Sequence, residues 1–166
     1  MTPMVKGATP AISALERAGI SHTVHPYELA GDDERSYGEA VAAALGVPGD
    51  RLFKTLVALV DGDPVVAVVP VDGNLDMKRL ARASGGKRAG MAPPEVAERL
   101  TGYVVGGVSP LGQKRRLSMV VDEAIGAHDT VFVSAGRRGL QVELAPDDLL
   151  AATGASVASI ADRGGS

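Results

Sequence analysis

The strongest constraint on the fold of this chain is a pair of apolar, β-branched segments joined by a tight-turn sequence. Residues 52–60 read LFKTLVALV, residues 64–71 read PVVAVVPV, and Asp61-Gly62-Asp63 lies between them. Asp-Gly favours the two-residue hairpin turn, in which both central residues adopt a positive φ angle. The pattern therefore predicts an antiparallel β-hairpin over residues 52–71.

Capping residues predict where helices begin and end. Thr9, followed by a proline, is typical of a first helical turn, and Gly19 is typical of a helix end. Ser36 and Glu39 have the spacing of a capping box ahead of a second helix, which Gly46 ends. The remaining predicted helices span 74–83, 93–100 and 146–152. The remaining predicted strands span 20–27, 119–121, 130–133 and 140–144. Strands joined by hairpins and helices alike predict an α+β domain with a mixed, largely antiparallel sheet.

Length and composition indicate one folded domain. The chain has 166 residues, of which 45% are hydrophobic and 22% charged, so we expect a single domain over residues 1–166 with flexible ends at 1–8 and 162–166. It has no signal-peptide pattern and no apolar run of the about 20 residues that cross a bilayer, which predicts a cytoplasmic protein. The absence of cysteine excludes disulfides and a cysteine nucleophile. The three histidines form no ligand pattern, so neither a metal nor a cofactor is expected.

The net charge of −3 hides an uneven distribution. Residues 78–118 contain nine basic and two acidic side chains, a local charge of +7, and the rest of the chain carries −10. Clustered lysine and arginine gain from counterion release at a polyanion, which would make this region a phosphate-contacting face. The alternative is a solvated basic surface without a ligand. The charges alone do not decide between the two.

Lys54 is the most unusual single residue, because it interrupts an apolar strand. By strand alternation it shares a face with Leu52 and Leu56, while Phe53 and Thr55 take the other face. Burying an ammonium group is costly unless a ligand or a carboxylate meets it. Either such a partner exists, or the side chain extends to the surface of a half-exposed sheet.

Two glycine-containing loops are candidates for ligand contact. Gly106 and Gly107 let a backbone approach a ligand closely and offer N–H groups to a carbonyl oxygen, although a glycine pair also suits a simple turn before Pro110. Ser134 ends a predicted strand ahead of the turn Gly136–Gly139. This segment is neither a G-x-S-x-G elbow nor a phosphate-binding glycine loop, which disfavours a serine hydrolase and a nucleotide-binding motif.

Three segments together resemble one family. Phe53-Lys54-Thr55-Leu56, Gly106-Gly107-Val108-Ser109-Pro110-Leu111-Gly112-Gln113-Lys114 and Ser134-Ala135-Gly136-Arg137-Arg138-Gly139 occur in the order and spacing of the YbaK/EbsC aminoacyl-tRNA deacylases. These are relatives of the editing domain of prolyl-tRNA synthetase, and the likeness runs from about Thr9 to Ile160. The resemblance implies a barrel-like sheet with flanking helices. It also implies trans-editing of mischarged tRNA, with Cys-tRNA(Pro) as substrate and the substrate's own thiol as nucleophile.

The resemblance also implies roles for individual residues. Lys54 would hold the phosphate or ribose of the terminal adenosine, and the N–H groups of Gly106 and Gly107 would polarise the ester carbonyl. The substrate-binding residues would be Tyr27, Thr55, Ser109, Ser134 and Gln141. The tRNA-binding residues would be Lys78, Arg79, Arg82, Lys87, Arg88, Lys114, Arg115 and Arg137. The partners expected are tRNA, through its acceptor stem and 3′ end, and prolyl-tRNA synthetase.

Gln141 departs from the family pattern, in which an aspartate follows the strand serine by seven residues. A neutral amide can neither accept a proton nor balance the charge of Lys54, whereas Glu143 offers a carboxylate on the same strand face. Two alternatives therefore remain open at this stage. One is deacylation of another mischarged tRNA, such as Ala- or Ser-tRNA, and the other is a catalytically silent tRNA-binding module with a regulatory role.

Overall fold

The computed structural model describes residues 8–29 and 36–163, and it confirms the hairpin expected from the sequence. Phe53–Val60 pairs antiparallel with Asp63–Pro70 along its whole length. The turn residues Asp61 and Gly62 have φ angles of 49° and 87°, as a two-residue turn that matches the strand twist requires.

The described residues form five α-helices and ten β-strands. The helices are α1 (Pro10–Ala18), α2 (Tyr37–Leu45), α3 (Met77–Ala83), α4 (Pro94–Thr101) and α5 (Pro146–Thr153). The strands are β1 (Thr23–Pro26), β2 (Phe53–Val60), β3 (Asp63–Pro70), β4 (Asn74–Leu75), β5 (Ala89–Met91), β6 (Ser118–Asp122), β7 (Val131–Arg137), β8 (Leu140–Leu144), β9 (Ser156–Ala158) and β10 (Ala161–Asp162). A 3₁₀ turn, Glu123–Ala127, follows β6.

The strands form three sheets, and the α+β class is confirmed. The largest sheet has the order β5-β2-β3-β6-β9, in which β3, β6 and β9 run parallel to one another and the other pairs are antiparallel. The second sheet is antiparallel with the order β1-β8-β7, and the third pairs β10 with β4. The expected barrel-like closure is wrong, because within the described residues β5 and β9 remain open edges of the large sheet. A single bridge between Leu52 and Phe132 is where the two larger sheets meet.

The central strand β3 is buried on both faces, so the core has two layers. Val66 and Val68 pack with Ile12 of α1, Val133 of β7 and Leu149 of α5 on one face. The opposite face of the strand packs against α3 and the segment around Ile160. A third cluster lies under α2, where Val41 contacts Leu52 and Phe132.

Capping explains the helix boundaries, and one boundary differs from the prediction. Thr9, Ser36 and Asp76 accept hydrogen bonds from main-chain N–H groups in the first turns of α1, α2 and α3. The helix expected over residues 74–83 begins only at Met77, because Asn74–Leu75 pairs with β10 and Asp76 caps the helix. Strands this short take their conformation from a distant partner, and nothing in the local sequence predicts them.

The ends of the chain lie partly outside the description. Residues 1–7 and 164–166, most of the ends expected to be flexible, lie outside the described residues. Asp162 pairs with Asn74, and the guanidinium of Arg163 donates to both carboxylate oxygens of Asp72, at 3.2 and 2.7 Å. No helix in the described ranges is long and apolar enough to cross a membrane.

Candidate active site

A cavity of about 400 Å³ lies beside the first half of β2. It is bounded by the beginning of α2, by β2, by the segment from β5 to α4, by the loop over residues 104–108, and by the β7–β8 hairpin. Most of its wall is apolar. The residues that line it are Ser36, Tyr37, Gly38, Val41, Leu52, Phe53, Lys54, Thr55, Leu56, Val57, Val71, Met91, Ala92, Pro94, Ala97, Val105, Gly106, Val108, Ser134 and Gln141.

The cavity lies where β2 lacks a neighbouring strand. β3 pairs with all of β2, whereas β5 pairs only with residues 58–60. The Leu52 carbonyl accepts a hydrogen bond from the Val71 N–H, so the main chain of Lys54, two residues on, also faces β3. The main chain of Thr55 then faces the open side. Within the described residues no strand pairs with Thr55 on that side.

Lys54 lies half-buried in the cavity wall. No carboxylate of the described residues lies within 4.0 Å of its ammonium group. Burial lowers the pKa of Lys54, and the negative charge of Glu39 on α2 acts in the opposite direction. Within the described residues the side chain therefore forms no ion pair, and it does not leave the sheet for open solvent, so its charge is available to an anionic or carbonyl group of a ligand.

Two buried polar atoms at the cavity have no hydrogen-bond partner among the described residues. These are Oγ1 of Thr55 and Oε1 of Gln141, whose residue is only 5% exposed. Gln141 lies opposite Ser134 in the β7–β8 ladder, and Ser134 Oγ accepts a hydrogen bond of 3.1 Å from the Gly136 N–H. A buried polar atom left unpaired costs about 1–3 kcal/mol. Both residues line the cavity, but the two oxygens are buried in its wall, so a ligand reaches them only after the side chains turn.

Tyr27 is one hydrogen bond removed from the cavity. Its phenol oxygen lies 2.6 Å from that of Tyr37, and Tyr37 lines the wall. Burial, followed by the hydrogen bond to Tyr27, raises the pKa of Tyr37. Tyr37 is therefore a neutral hydrogen-bonding group, and Tyr27 contacts the cavity wall through it.

The two loop glycines have different surroundings. Gly106 lines the cavity with a φ angle of 95°, and its N–H donates to no group of the described residues. The Gly107 N–H is already bonded to the Val104 carbonyl at 2.8 Å. A Cβ atom on Gly107 would come within 2.8 Å of the Arg137 Cα. The expectation that both N–H groups face the substrate stays a prediction: within the described residues the Gly106 N–H is unbonded, whereas the Gly107 N–H has a partner and the missing side chain of Gly107 allows close packing of the loop.

Ser109, which is expected among the substrate contacts, lies away from the cavity wall. It is fully buried, and its Oγ accepts a hydrogen bond of 3.2 Å from the Leu111 N–H. Its carbonyl accepts another from the Gln113 side chain at 3.0 Å. Ser109 therefore shapes the loop that precedes β6.

Glu143 does not replace the missing carboxylate at position 141. Its carboxylate accepts hydrogen bonds from Thr130 at 2.5 Å and from Arg51 at 3.0 Å, and it lies 2.9 Å from Nε2 of His25. The hydrogen bond from Thr130, together with the bonds and charges of His25 and Arg51, holds the pKa of Glu143 below its ordinary value despite partial burial. The group belongs to a network outside the cavity wall.

The basic residues expected to bind tRNA are exposed, but they belong to separate parts of the molecule. Lys78, Arg79 and Arg82 lie on α3, Lys87 and Arg88 directly precede β5, Lys114 and Arg115 belong to the loop before β6, and Arg137 ends β7. Arg79 has structural partners, since its guanidinium donates to the Ala161 carbonyl at 2.7 Å and lies 3.8 Å from the Asp76 carboxylate. Within residues 8–29 and 36–163 no group of three His, Asp or Glu side chains could hold a metal ion.

The sequence analysis assigns no site role to Tyr37, which lines the cavity, or to Arg138, which lies against Tyr37. The guanidinium carbon of Arg138 lies 4.8 Å from the centre of the Tyr37 ring. The capping box predicted the helix on which Tyr37 lies. The local pattern does not indicate that Tyr37, the first residue of that helix, contacts the β7–β8 turn about a hundred positions further along the chain.

Fold and site together define a class of protein: an α+β domain with a mostly apolar cavity whose wall, within the described residues, carries Lys54, the unbonded N–H of Gly106 and two buried oxygens without a partner. Residues 33–152 match the family described as the aminoacyl-tRNA editing domain. The chain belongs to that family.

Individual relatives agree with this assignment. The chain is 42% identical to EbsC of Enterococcus faecalis, which carries the provisional name Cys-tRNA(Pro)/Cys-tRNA(Cys) deacylase, over 81% of this chain and 82% of that protein. It is 39% identical to proline–tRNA ligase of Geobacter metallireducens over 59% of this chain, which is 17% of the ligase. A crystal structure provisionally described as a trans-editing enzyme for prolyl-tRNA synthetase superposes with a TM-score of 0.81 and 28% identity, covering 98% of this chain and 99% of that one.

Proposed function

We propose that this protein is a trans-editing deacylase that cleaves the ester between a wrongly attached amino acid and the 3′-terminal ribose of tRNA, with Cys-tRNA(Pro) as substrate. One observation carries the proposal. Of the described residues that line the cavity, Lys54 alone is charged, and no carboxylate of the described residues lies within 4.0 Å of its ammonium. A cation in an apolar cavity favours a ligand that brings oxygen acceptors, as an aminoacylated 3′ end does.

The relatives support the substrate class. EbsC is named for Cys-tRNA(Pro) and Cys-tRNA(Cys), and the similar crystal structure is described in relation to prolyl-tRNA synthetase. The similarity to proline–tRNA ligases supports the same connection. We therefore propose tRNA(Pro) as the nucleic-acid partner, a synthetase–tRNA complex as the setting, and the cytoplasm as the place of action.

Each side chain at the cavity has a role in this proposal. Lys54 holds the phosphate or ribose end of the terminal adenosine and so orients the ester. The free N–H of Gly106 donates to the ester carbonyl oxygen, where negative charge develops during cleavage. Thr55, Ser134 and Gln141 surround the amino-acid portion, and Tyr27 acts through Tyr37.

The nucleophile in this proposal comes from the substrate. The cysteine sulfur attacks the carbonyl carbon, a C–S bond forms, and the C–O ester bond breaks. The thiol proton passes to the ribose oxygen that leaves, so the products are deacylated tRNA and a cyclic thioester of cysteine. The protein contributes orientation and charge stabilisation, which agrees with a chain that contains no cysteine of its own.

The substrate is tested by incubating the purified protein with tRNA(Pro) charged with cysteine, serine or alanine. We expect release of cysteine and at most slow release of serine, because a hydroxyl is a much weaker nucleophile than a thiol. Rapid cleavage of Ser-tRNA(Pro) would require an activated water and would contradict the thiol mechanism. Tight binding of all three without turnover would instead favour a silent tRNA-binding module.

The site is tested by Lys54→Met and Lys54→Arg. Methionine keeps an unbranched side chain without the charge, and we expect deacylation to fall by at least about a hundredfold, as expected when the ester is no longer held in the reactive orientation. Arginine keeps the charge and should retain partial activity. Arg17→Ala, an exposed substitution on α1, is the control for removal of a positive charge. Unchanged cleavage by Lys54→Met would overturn the assignment of the site.

A further inference from the structure

The side chain of Arg138 lies across two residues of the cavity wall. Its guanidinium is stacked over the ring of Tyr37, 4.8 Å from the ring centre. It also lies against Gly106, since a Cβ atom there would come within 2.5 Å of the Arg138 Nε. Both Tyr37 and Gly106 line the cavity, whereas Arg138 itself does not. The guanidinium is therefore at the rim of the cavity.

The charge of Arg138 has no carboxylate partner in the part of the chain that the structure describes. Arg51, Arg79 and Arg163 each lie within 4.0 Å of an acidic side chain, and Arg138 does not. Nor does its guanidinium donate a hydrogen bond to another described residue. Stacking on an aromatic ring occupies the face of a guanidinium and leaves the N–H groups at its edge free.

We propose that Arg138 binds a phosphate of the single-stranded 3′ end of the tRNA as that strand enters the cavity. This inference rests on the proposed function and adds a residue to it. A planar guanidinium with free edge donors suits the oxygens of a phosphodiester, and contact with Tyr37 orients it before the ligand arrives. Lys54 lies in the wall and Arg138 at the rim, so the two cations contact the strand at different depths.

The neighbouring Arg137 lacks this arrangement. It is exposed at the end of β7, and its Cα atom packs against Gly107. No stacking or ion-pair contact of its guanidinium is found within the described residues. Of the two adjacent arginines, the structure therefore favours Arg138 as the phosphate contact next to the cavity.

The test compares substrates with and without phosphates. Wild-type protein, Arg138→Ala and Arg138→Lys are assayed with Cys-tRNA(Pro) and with the cysteinyl ester of adenosine, which carries no phosphate. We expect Arg138→Ala to lower kcat/KM about 10- to 100-fold on the tRNA, through KM, with less than about a twofold change on the adenosine ester. Arg138→Lys should lie between wild type and alanine, since lysine keeps the charge without the planar fork. Arg17→Ala controls for net charge.

Binding of uncharged tRNA gives a readout that does not depend on turnover. With Arg138→Ala the slope of log K against log salt should become shallower by about 0.7, the value for one single-strand phosphate contact. Equal losses on both substrates with an unchanged salt slope would overturn the proposal and leave Arg138 a positioning residue for Gly106. If the wild type cleaves neither substrate and Arg138→Ala still makes the salt slope shallower, the proposed deacylase function is wrong. The phosphate contact of Arg138 is then supported independently of it.

Discussion

Gln141 and Thr55 each hold a buried oxygen that has no partner among the described residues, and stability and activity should respond to this in opposite directions. Gln141→Leu and Thr55→Val replace the polar group with an apolar one of similar shape. We expect each to raise the free energy of unfolding by about 1 kcal/mol, because the uncompensated desolvation is removed, and to lower kcat/KM. Urea denaturation and deacylation assays of the same preparations measure both. Lower stability in both variants would show that these oxygens already have partners in the free protein.

Lys54 should make ligand binding sensitive to alkaline pH. Burial lowers the pKa of its ammonium, so as pH rises the charge is lost earlier than for an exposed lysine. Affinity for an amide-linked Cys-tRNA(Pro) analogue, which is not cleaved, should fall as pH passes that lowered pKa. In Lys54→Arg the guanidinium stays protonated, and affinity should remain flat over the same range. Identical pH profiles for the two proteins would exclude Lys54 as the titrating group.

Glu143 connects the three-stranded sheet to the start of β2 through hydrogen bonds and ion pairs. Its carboxylate joins His25 of β1, Thr130 before β7, and Arg51 before β2. Glu143→Gln keeps the shape and removes the charge, so we expect a loss of about 1–3 kcal/mol at neutral pH. The folded-state pKa lies below the ordinary value of 4.5, so the stabilisation is full above that pH and is lost as pH falls through the folded value.

Unfolding by urea at several pH values checks the role of Glu143. The difference in stability between wild type and Glu143→Gln should be constant near neutrality and should shrink below about pH 4.5. If the difference in stability does not change with pH, the charge of Glu143 contributes nothing to it. The two proteins then differ only in how the carboxylate and the amide fit their hydrogen-bond partners.

The loop over residues 104–108 depends on Gly107 for its position. A Cβ atom there would lie 2.8 Å from the Arg137 Cα, and main-chain atoms cannot move aside as a flexible side chain can. Gly107→Ala should therefore cost about 1–3 kcal/mol of stability and reduce deacylation, because Gly106 moves with the loop. Gly126→Ala is a matched control, since a Cβ atom at that position meets nothing within 4 Å. Equal stability of the two variants would contradict this packing.

The elements that sequence reasoning predicted are those whose signals are local. The β2–β3 hairpin follows from Asp61-Gly62 and its flanking β-branched residues, and the helices follow from their caps. The short strands β4, β5, β9 and β10 were missed, because two or three residues carry no periodicity and are ordered by distant partners. Lys54 and Gly106 were found through motifs, and the structure places both at one cavity. The roles expected of Gly107 and Ser109 stay predictions: the fold itself already uses the Gly107 N–H and the Ser109 hydroxyl, which a motif does not reveal.

The cavity is a consequence of sheet topology. β5 pairs with the far half of β2 only, and the open half is enclosed by α2, by the loop over residues 104–108 and by the β7–β8 hairpin. No single segment contains the site, so no local pattern could give its shape. The two cations next to it, Lys54 and Arg138, reach it from different sheets.

The positive charge of the molecule lies in several separate exposed groups. The net charge is −3, yet exposed basic residues occur on α3, before β5, before β6 and at the β7–β8 turn. If these groups bind the acceptor stem through phosphates, two acceptor stems of different sequence should lose affinity alike as salt rises.

The double variants Lys87→Ala/Arg88→Ala and Lys114→Ala/Arg115→Ala each remove one group. The slope of log K against log salt should become shallower by about 0.9 for every duplex phosphate that the variant no longer binds. If a double variant leaves the slope unchanged, its two residues lie outside the tRNA interface. If both double variants leave the slope unchanged, the acceptor stem binds a surface other than these loops. Because Lys87 and Arg88 lead directly into β5, which ends at the cavity wall, we expect the larger change there.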